Sequence, residues 1–112
     1  ESAVPQMKDS IVPRVMEYIS ENCFDSELNV SVVSEKLGIN ASYLSNSFHS
    51  QTGIRLTDFI HQQRLKKVKQ LLRETDLTMA QIAKATGYYN AIAMSRVFKR
   101  YVGITPSAYR NS

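Results

Sequence analysis

LGINASYLSNSFHSQTGIRLTDF at residues 37–59 and TGYYNAIAMSRVFKRYVGITPSAY at residues 86–109 are two copies of one pattern. Gly38 matches Gly87, Phe48 matches Phe98, Gly53 matches Gly103, Ile54 matches Ile104 and Phe59 matches Tyr109. The offset between the copies steps from 49 to 50, so the second contains one extra residue. In each copy a glycine separates two short stretches whose apolar residues recur at helical spacing. That is the sequence image of a helix-turn-helix, whose second helix is built to enter a DNA groove.

Helical periodicity continues outside the repeats. The chain reads as all-α, with about seven helices forming two helix-turn-helix subdomains joined by a long linker helix. Residues 1–8 lack periodicity and contain Pro5, which reads as a linker or frayed end. Ile11, Val12, Val15, Met16 and Ile19 form the apolar stripe of a first helix, starting near Asp9 or Ser10 and fading around Asn22. Pro13 fits that helix only within its opening turn. Asn29 is a candidate N-cap for a short helix carrying Val30, Val33 and Leu37, which ends at Gly38. Asn40 can cap the next helix, about 41–51, with Leu44 and Phe48 inward and Gly53 closing it. Residues 9–55 thus form the first subdomain.

The linker helix occupies 56–75, with its periodic core over about 57–74. Phe59, Leu65, Val68, Leu71 and Leu72 line one side of it, and Lys66, Lys67, Lys69 and Arg73 the other. A helix of that length spans roughly 27 Å, suitable for a strut between two modules. The second subdomain, residues 76–112, opens with a capping box at Thr78 and Gln81. Ile82, Ala83 and Ala85 are expected to pack its first helix, and Gly87 turns the chain. Asn90 can cap the second recognition helix, with Val97, Phe98 and Tyr101 on its inner face. Thr105 followed by Pro106 starts a short last helix through Arg110.

Charge is distributed as unevenly as the repeats. The net charge is +4, yet residues 1–35 hold seven acids and two bases, whereas residues 36–112 hold twelve bases and three acids. The basic region is the repeated region, as a polyanion-binding surface requires. The single cysteine, Cys23, excludes an internal disulfide and a thiolate zinc cluster, and is expected to be a small, reduced, buried side chain. No apolar run approaches the roughly 20 residues of a membrane span. No segment has signal-peptide architecture either, so a cytoplasmic location is expected and no membrane partner. The chain opens at Glu1 and not at methionine, which suggests a piece of something longer, with a sensing, receiver or dimerisation domain before it.

Three runs carry a family resemblance: QQRLKKVKQLL at 62–72, IAKATGY at 82–88 and FKRYVGITPSAYR at 98–110. With the repeats, they resemble the C-terminal DNA-binding domain of AraC-type (arabinose-operon activator) transcription regulators over about residues 28–110. The acidic first helix, ending YISEN, is similar to versions attached to response-regulator receiver domains. Departures from the family pattern are Ser34 and Val68 where alanine is usual, and Ala93 and Met94 where an aromatic pair precedes the shared Phe98. Methionine fills irregular space, so the same fold is accommodated.

The resemblance places base-contacting positions at Ser42, Ser45 and Asn46 in the first copy, and at Ala91, Ile92, Ser95 and Arg96 in the second. Facing the core with Leu44 and Phe48 leaves Ser42, Ser45, Asn46 and His49 outward. The Asn46 carboxamide suits a bidentate contact with adenine, or is simply solvated. His49 reads as a phosphate or water contact. Arg96 can fork onto guanine or grip phosphate, while Ala91 and Ile92 suit thymine methyls. Tyr43, Lys99, Arg100, Arg110 and the helix starts at Asn40 and Asn90 are candidates for holding backbone phosphates. Arg55 stands where the other copy has Thr105. It puts a cation at the positive end of the linker helix, facing either water or a phosphate. The linker lysines read as a wet face.

Four glycines dispersed as helix terminators and two histidines, His49 and His61, offer no catalytic constellation, and no cofactor or metal is implied. A helical protein-interaction module is the rival class, but protein docking does not require two matched glycine-turn units. The reading is therefore a non-enzymatic, sequence-specific, double-stranded DNA-binding domain of a bacterial transcription regulator, with two recognition helices in successive major-groove segments. Its partners would be duplex DNA with tandem half-sites about one helical turn apart and, in the full regulator, RNA polymerase.

Overall fold

The computed structural model describes residues 3–112, with side chains from residue 11 onward. The described residues form seven helices: α1 Ala3–Asn22, α2 Val30–Leu37, α3 Ala41–Thr52, α4 Leu56–Glu74, α5 Met79–Ala85, α6 Ala91–Val102 and α7 Pro106–Arg110. They make two compact units, one from residues up to Asn22 with Glu27–Ile60, the other from Cys23–Ser26 with His61–Ser112.

In the first unit α1, α2 and α3 pack on one another. Ile11, Val15 and Ile19 of α1, Val33 of α2 and Leu44 and Phe48 of α3 are buried, each set at helical spacing. α1 begins earlier than expected: residues 3–8 are helix rather than linker, while residues 1–2 of that expected linker lie outside the described residues. Pro5 falls in the opening turn, where a missing N–H breaks no bond. Pro13, expected in that turn, lies well inside the helix. It removes one rung on the exposed face, opposite Ile11 and Val15, so the packed face keeps its ladder.

The caps of α2 and α3 are as expected. Asn29 accepts from the Val32 N–H and Asn40 from the Tyr43 N–H, and the helices end at Gly38 and Gly53 in the left-handed region. α4 opens with Leu56 and Ile60 buried, and Phe59 sets its ring 5.4 Å from Phe48.

The second unit is built around Leu65, Val68 and Leu72 of α4, Ile82 and Ala83 of α5, Tyr88, and Met94 and Phe98 of α6. Thr78 and Gln81 form the complete capping box of α5. Ala85, expected in this core, is exposed, and Thr86 is buried in its stead. Spacing explains the exchange, because Ile82, Ala83 and Thr86 share one helical face and position 85 does not. The Thr86 hydroxyl donates to the Ile82 carbonyl at 2.8 Å, so its burial leaves no polar atom unmet. On α6 the innermost side chains are Met94 and Phe98, whereas Val97 and Tyr101 are half-buried against the same core. Met94 is fully buried in this core.

Arg64, within the basic run, faces inward and is 6% exposed. Its Nε donates to the Cys23 carbonyl at 2.6 Å and its Nη2 to the Asp25 carbonyl at 3.0 Å, with the guanidinium 5.3 Å from the Tyr88 ring centroid. These bonds fasten the Cys23–Ser26 segment into the second unit. Burial lowers the pKa of Arg64, and it raises those of the Tyr88 phenol and the Cys23 thiol. The Tyr88 hydroxyl also meets His61 Nδ1 at 2.9 Å, so His61 belongs to this internal network.

Candidate nucleic-acid interface

Burying Leu44 and Phe48 turns the opposite face of α3 outward. Ser42, Asn46 and His49 are exposed on it, Tyr43 is exposed beside them, and Ser45 is partly covered. Ser45, Asn46 and His49 share an open groove with Arg55, Leu56 and Thr57, where α4 begins. In the second unit, burying Met94 and Phe98 does the same for α6. Ile92, Arg96, Lys99 and Arg100 are exposed, while Ala91 and Ser95 are partly covered. Ser95, Arg96, Lys99, Arg100 and Thr105 line the corresponding groove.

The two grooves are the same feature repeated. Ser45 corresponds to Ser95, Asn46 to Arg96, His49 to Lys99 and Arg55 to Thr105, all at the offset of the second half of the repeat. Sequence reading weighed these side chains singly and missed the groove that unites them. The signal was present, since four lining positions of each groove correspond at one offset. The chemistry differs between copies. The first groove presents a carboxamide and an imidazole with one cation, Arg55, whereas three cations line the second. Lys99 and Arg100 also lie in the last turn of α6, where the helix dipole favours positive charge.

Asn40 and Asn90 stand at the starts of these helices. Their Oδ1 atoms accept from the backbone N–H groups of Tyr43 at 3.1 Å and Ala93 at 2.8 Å. Capping thus engages the oxygen of each side chain and leaves the amide nitrogen as the group able to meet an anion.

Arg110, a candidate phosphate contact, makes internal bonds. Its Nε donates to the Leu72 carbonyl at 3.1 Å, Nη1 to Leu77 at 2.8 Å and Nη2 to Thr75 at 3.1 Å. The residue is partly buried and closes the C-terminal end of α4, where helix carbonyls lack intrahelical donors. Its guanidinium donors are directed to backbone carbonyls of its own unit. Arg73, counted on the wet face of α4, is exposed but donates to the Tyr109 hydroxyl. Lys66 is exposed as expected, and Lys67 donates to Gln70 Oε1 at 3.2 Å.

A family model described as a helix-turn-helix domain matches residues 33–112. The arabinose operon regulatory protein of Escherichia coli is 33% identical over 110 residues, covering 98% of this chain and 37% of that protein. The chain belongs to the AraC-type helix-turn-helix family. It is an AraC-type DNA-binding domain, of the kind carried by bacterial transcription regulators. The regulatory protein SoxS of E. coli is 37% identical over 101 residues, which cover 90% of this chain and 94% of SoxS. Among solved structures, the C-terminal domain of the two-component response regulator yesN from Fusobacterium nucleatum superposes with a TM-score of 0.84 at 37% identity, covering 88% of this chain and 95% of that one. The chain spans only about a third of the length of the operon regulators it matches, 31% of the Msm operon regulatory protein of Streptococcus mutans among them. AraC-type membership agrees with the closing run from Phe98 to Arg110, and Arg110 now has a structural reason to stand there.

Proposed function

We propose that the domain binds double-stranded DNA by placing α3 and α6 in successive major-groove segments, centred about one helical turn apart. The observation that carries this reading is the repeated groove, with matched positions on the outward face of each second helix. Ser42, Ser45 and Asn46 read bases from α3, and Ala91, Ile92, Ser95 and Arg96 from α6. Asn40, Tyr43, His49, Asn90, Lys99 and Arg100 hold phosphates on either side, which sets register without reading sequence. Arg55, exposed in the first groove, joins that set.

The domain acts by binding and not by catalysis, and its place of work is the cytoplasm, where bacterial DNA lies. Resemblance to regulators that are much longer, and to a response-regulator C-terminal domain, supports an attached sensing, receiver or dimerisation domain and a contact with RNA polymerase. The test begins with a site selected from randomised duplex DNA. Inserting about five base pairs, half a helical turn, between its half-sites moves one of them to the opposite side of the duplex. Affinity by fluorescence anisotropy should then fall to that of a single half-site. Unchanged affinity would show that the two helices do not engage together.

A further inference from the structure

The turn between α5 and α6 contains the residue by which the second repeat exceeds the first. Gly38-Ile39-Asn40 becomes Gly87-Tyr88-Tyr89-Asn90. Tyr88 takes the place of Ile39 and is buried, 6% exposed, in the core of the second unit. Tyr89 is the insertion, and it is 90% exposed. An aromatic ring left in water adds nothing to packing, so its place beside other groups is what bears on a role.

Its position points to a ligand. Tyr89 immediately precedes Asn90, the cap of α6, and lies three residues from Ile92, itself 64% exposed. It shares an open groove with Lys84 of α5 and Ala91 of α6. Lys84 is exposed, and its counterpart in the first copy, at the offset of 49, is Glu35. The same place in the two readers therefore holds a carboxylate and no insertion in one, a cation and an added phenol in the other. Asp25 also lines the groove and would repel an anion, which favours the Lys84 and Tyr89 part of it.

We propose that Tyr89 and Lys84 form a clip for the DNA backbone beside the second recognition helix, with no equivalent beside the first. This rests on the DNA-binding reading above. A phenol donates one hydrogen bond to a phosphate oxygen, and an ammonium adds a point charge. The need for such a clip follows from α6. Its first turn, Ala91-Ile92-Ala93, offers bases no hydrogen-bonding side chain and leaves that to Ser95 and Arg96, so added backbone contacts there supply affinity that the first turn does not. The first reader has Ser42, Ser45 and Asn46 for bases, while Glu35 disfavours a phosphate at the equivalent place. The clip gives the second module a backbone anchor that the first lacks.

The test uses the full chain with two fluorescent duplexes, the selected site and a scrambled version. Tyr89→Ala should weaken binding to both by about 10–100-fold, the loss of a hydrogen bond to a charged group, with the ratio between them unchanged. Lys84→Ala should reduce the slope of log affinity against log salt by about one. Both side chains are exposed, so thermal unfolding should not move, and Tyr89→Phe separates the hydroxyl from the ring. The clip is refuted if both alanine variants bind both duplexes within about twofold of wild type, as they would if Tyr89 served a protein partner. It is equally refuted if Tyr89→Ala alters preference at particular base pairs, which would make Tyr89 a base reader. Wild-type protein that binds neither duplex would overturn the DNA-binding reading itself.

Discussion

Gly87→Ala should destabilise the domain far more than alanine at any other glycine. All four glycines have positive φ, 69° at Gly38, 81° at Gly53, 91° at Gly87 and 99° at Gly103. Each substitution thus carries the left-handed penalty of an L side chain, roughly 1–2 kcal/mol. At Gly38, Gly53 and Gly103 a new Cβ meets nothing within 4 Å, so the cost ends there. At Gly87 it would sit 2.7 Å from the Cys23 carbonyl oxygen and 2.8 Å from Arg64 Nε. Those two atoms are the partners of one hydrogen bond, and neither is a free end that could swing aside. Breaking a bond to a charged donor adds about 1.5–3 kcal/mol, for a total of about 3–5 kcal/mol. Urea denaturation of the four variants, followed by circular dichroism, measures the difference directly. If Gly87→Ala costs no more than Gly38→Ala, then the Arg64 clasp yields freely and the argument for crowding at this turn fails.

Base-reading and structural roles make further predictions. Asn46→Ala should blur one adenine position and Arg96→Ala one guanine position about a helical turn away, each by about 1–3 kcal/mol of discrimination, on a library of single-base variants at fixed salt. An Arg96→Ala protein that loses affinity equally for every sequence would assign Arg96 to phosphate and leave α6 to read by the apolar surface of Ala91 and Ile92. Arg110→Ala should lower stability by about 2–4 kcal/mol through the carbonyls it leaves bare, with the salt dependence of DNA binding unchanged. A flattened salt slope at unaltered melting temperature would return Arg110 to the DNA.

The repeat made most of the fold legible, because local chemistry and helical period agreed within it. Asn29, Asn40, Thr78, Asn90 and Thr105 all cap the helices their spacing assigns them. Each cap is a contact between residues three apart, so one short window contains it all. The start of α1 was not legible, because Pro5 and Pro13 argue against helix locally while the apolar stripe that holds α1 lies further along. Ala85 and Thr86 were misjudged for a related reason. Alanine is the more apolar of the two, but face is set by angle and not by hydrophobicity alone, and a threonine hydroxyl can be satisfied by its own helix.

The cations show where sequence reasoning about the site reaches its limit. Counting charge assigns all twelve bases of residues 36–112 to a polyanion-binding surface. Arg64 and Arg110 are engaged within the fold, since both direct guanidinium donors to backbone carbonyls 33 to 41 residues distant in sequence. Nothing local distinguishes Arg64 from Lys66 or Lys67, its neighbours in the same basic run. What separates them is that position 64 lies beside the buried Leu65 and Val68 face of α4, and that guanidinium bonds several carbonyls at once where ammonium cannot fork. A deficit of donors at the Cys23–Asp25 turn and at the end of α4 is what selects arginine at these two positions. The charge left free for the proposed DNA surface is accordingly smaller than composition implies. It is also concentrated, with Arg96, Lys99 and Arg100 on one helix, and in the proposed complex that concentration would let the second reader hold the duplex even though its first turn offers the bases so little.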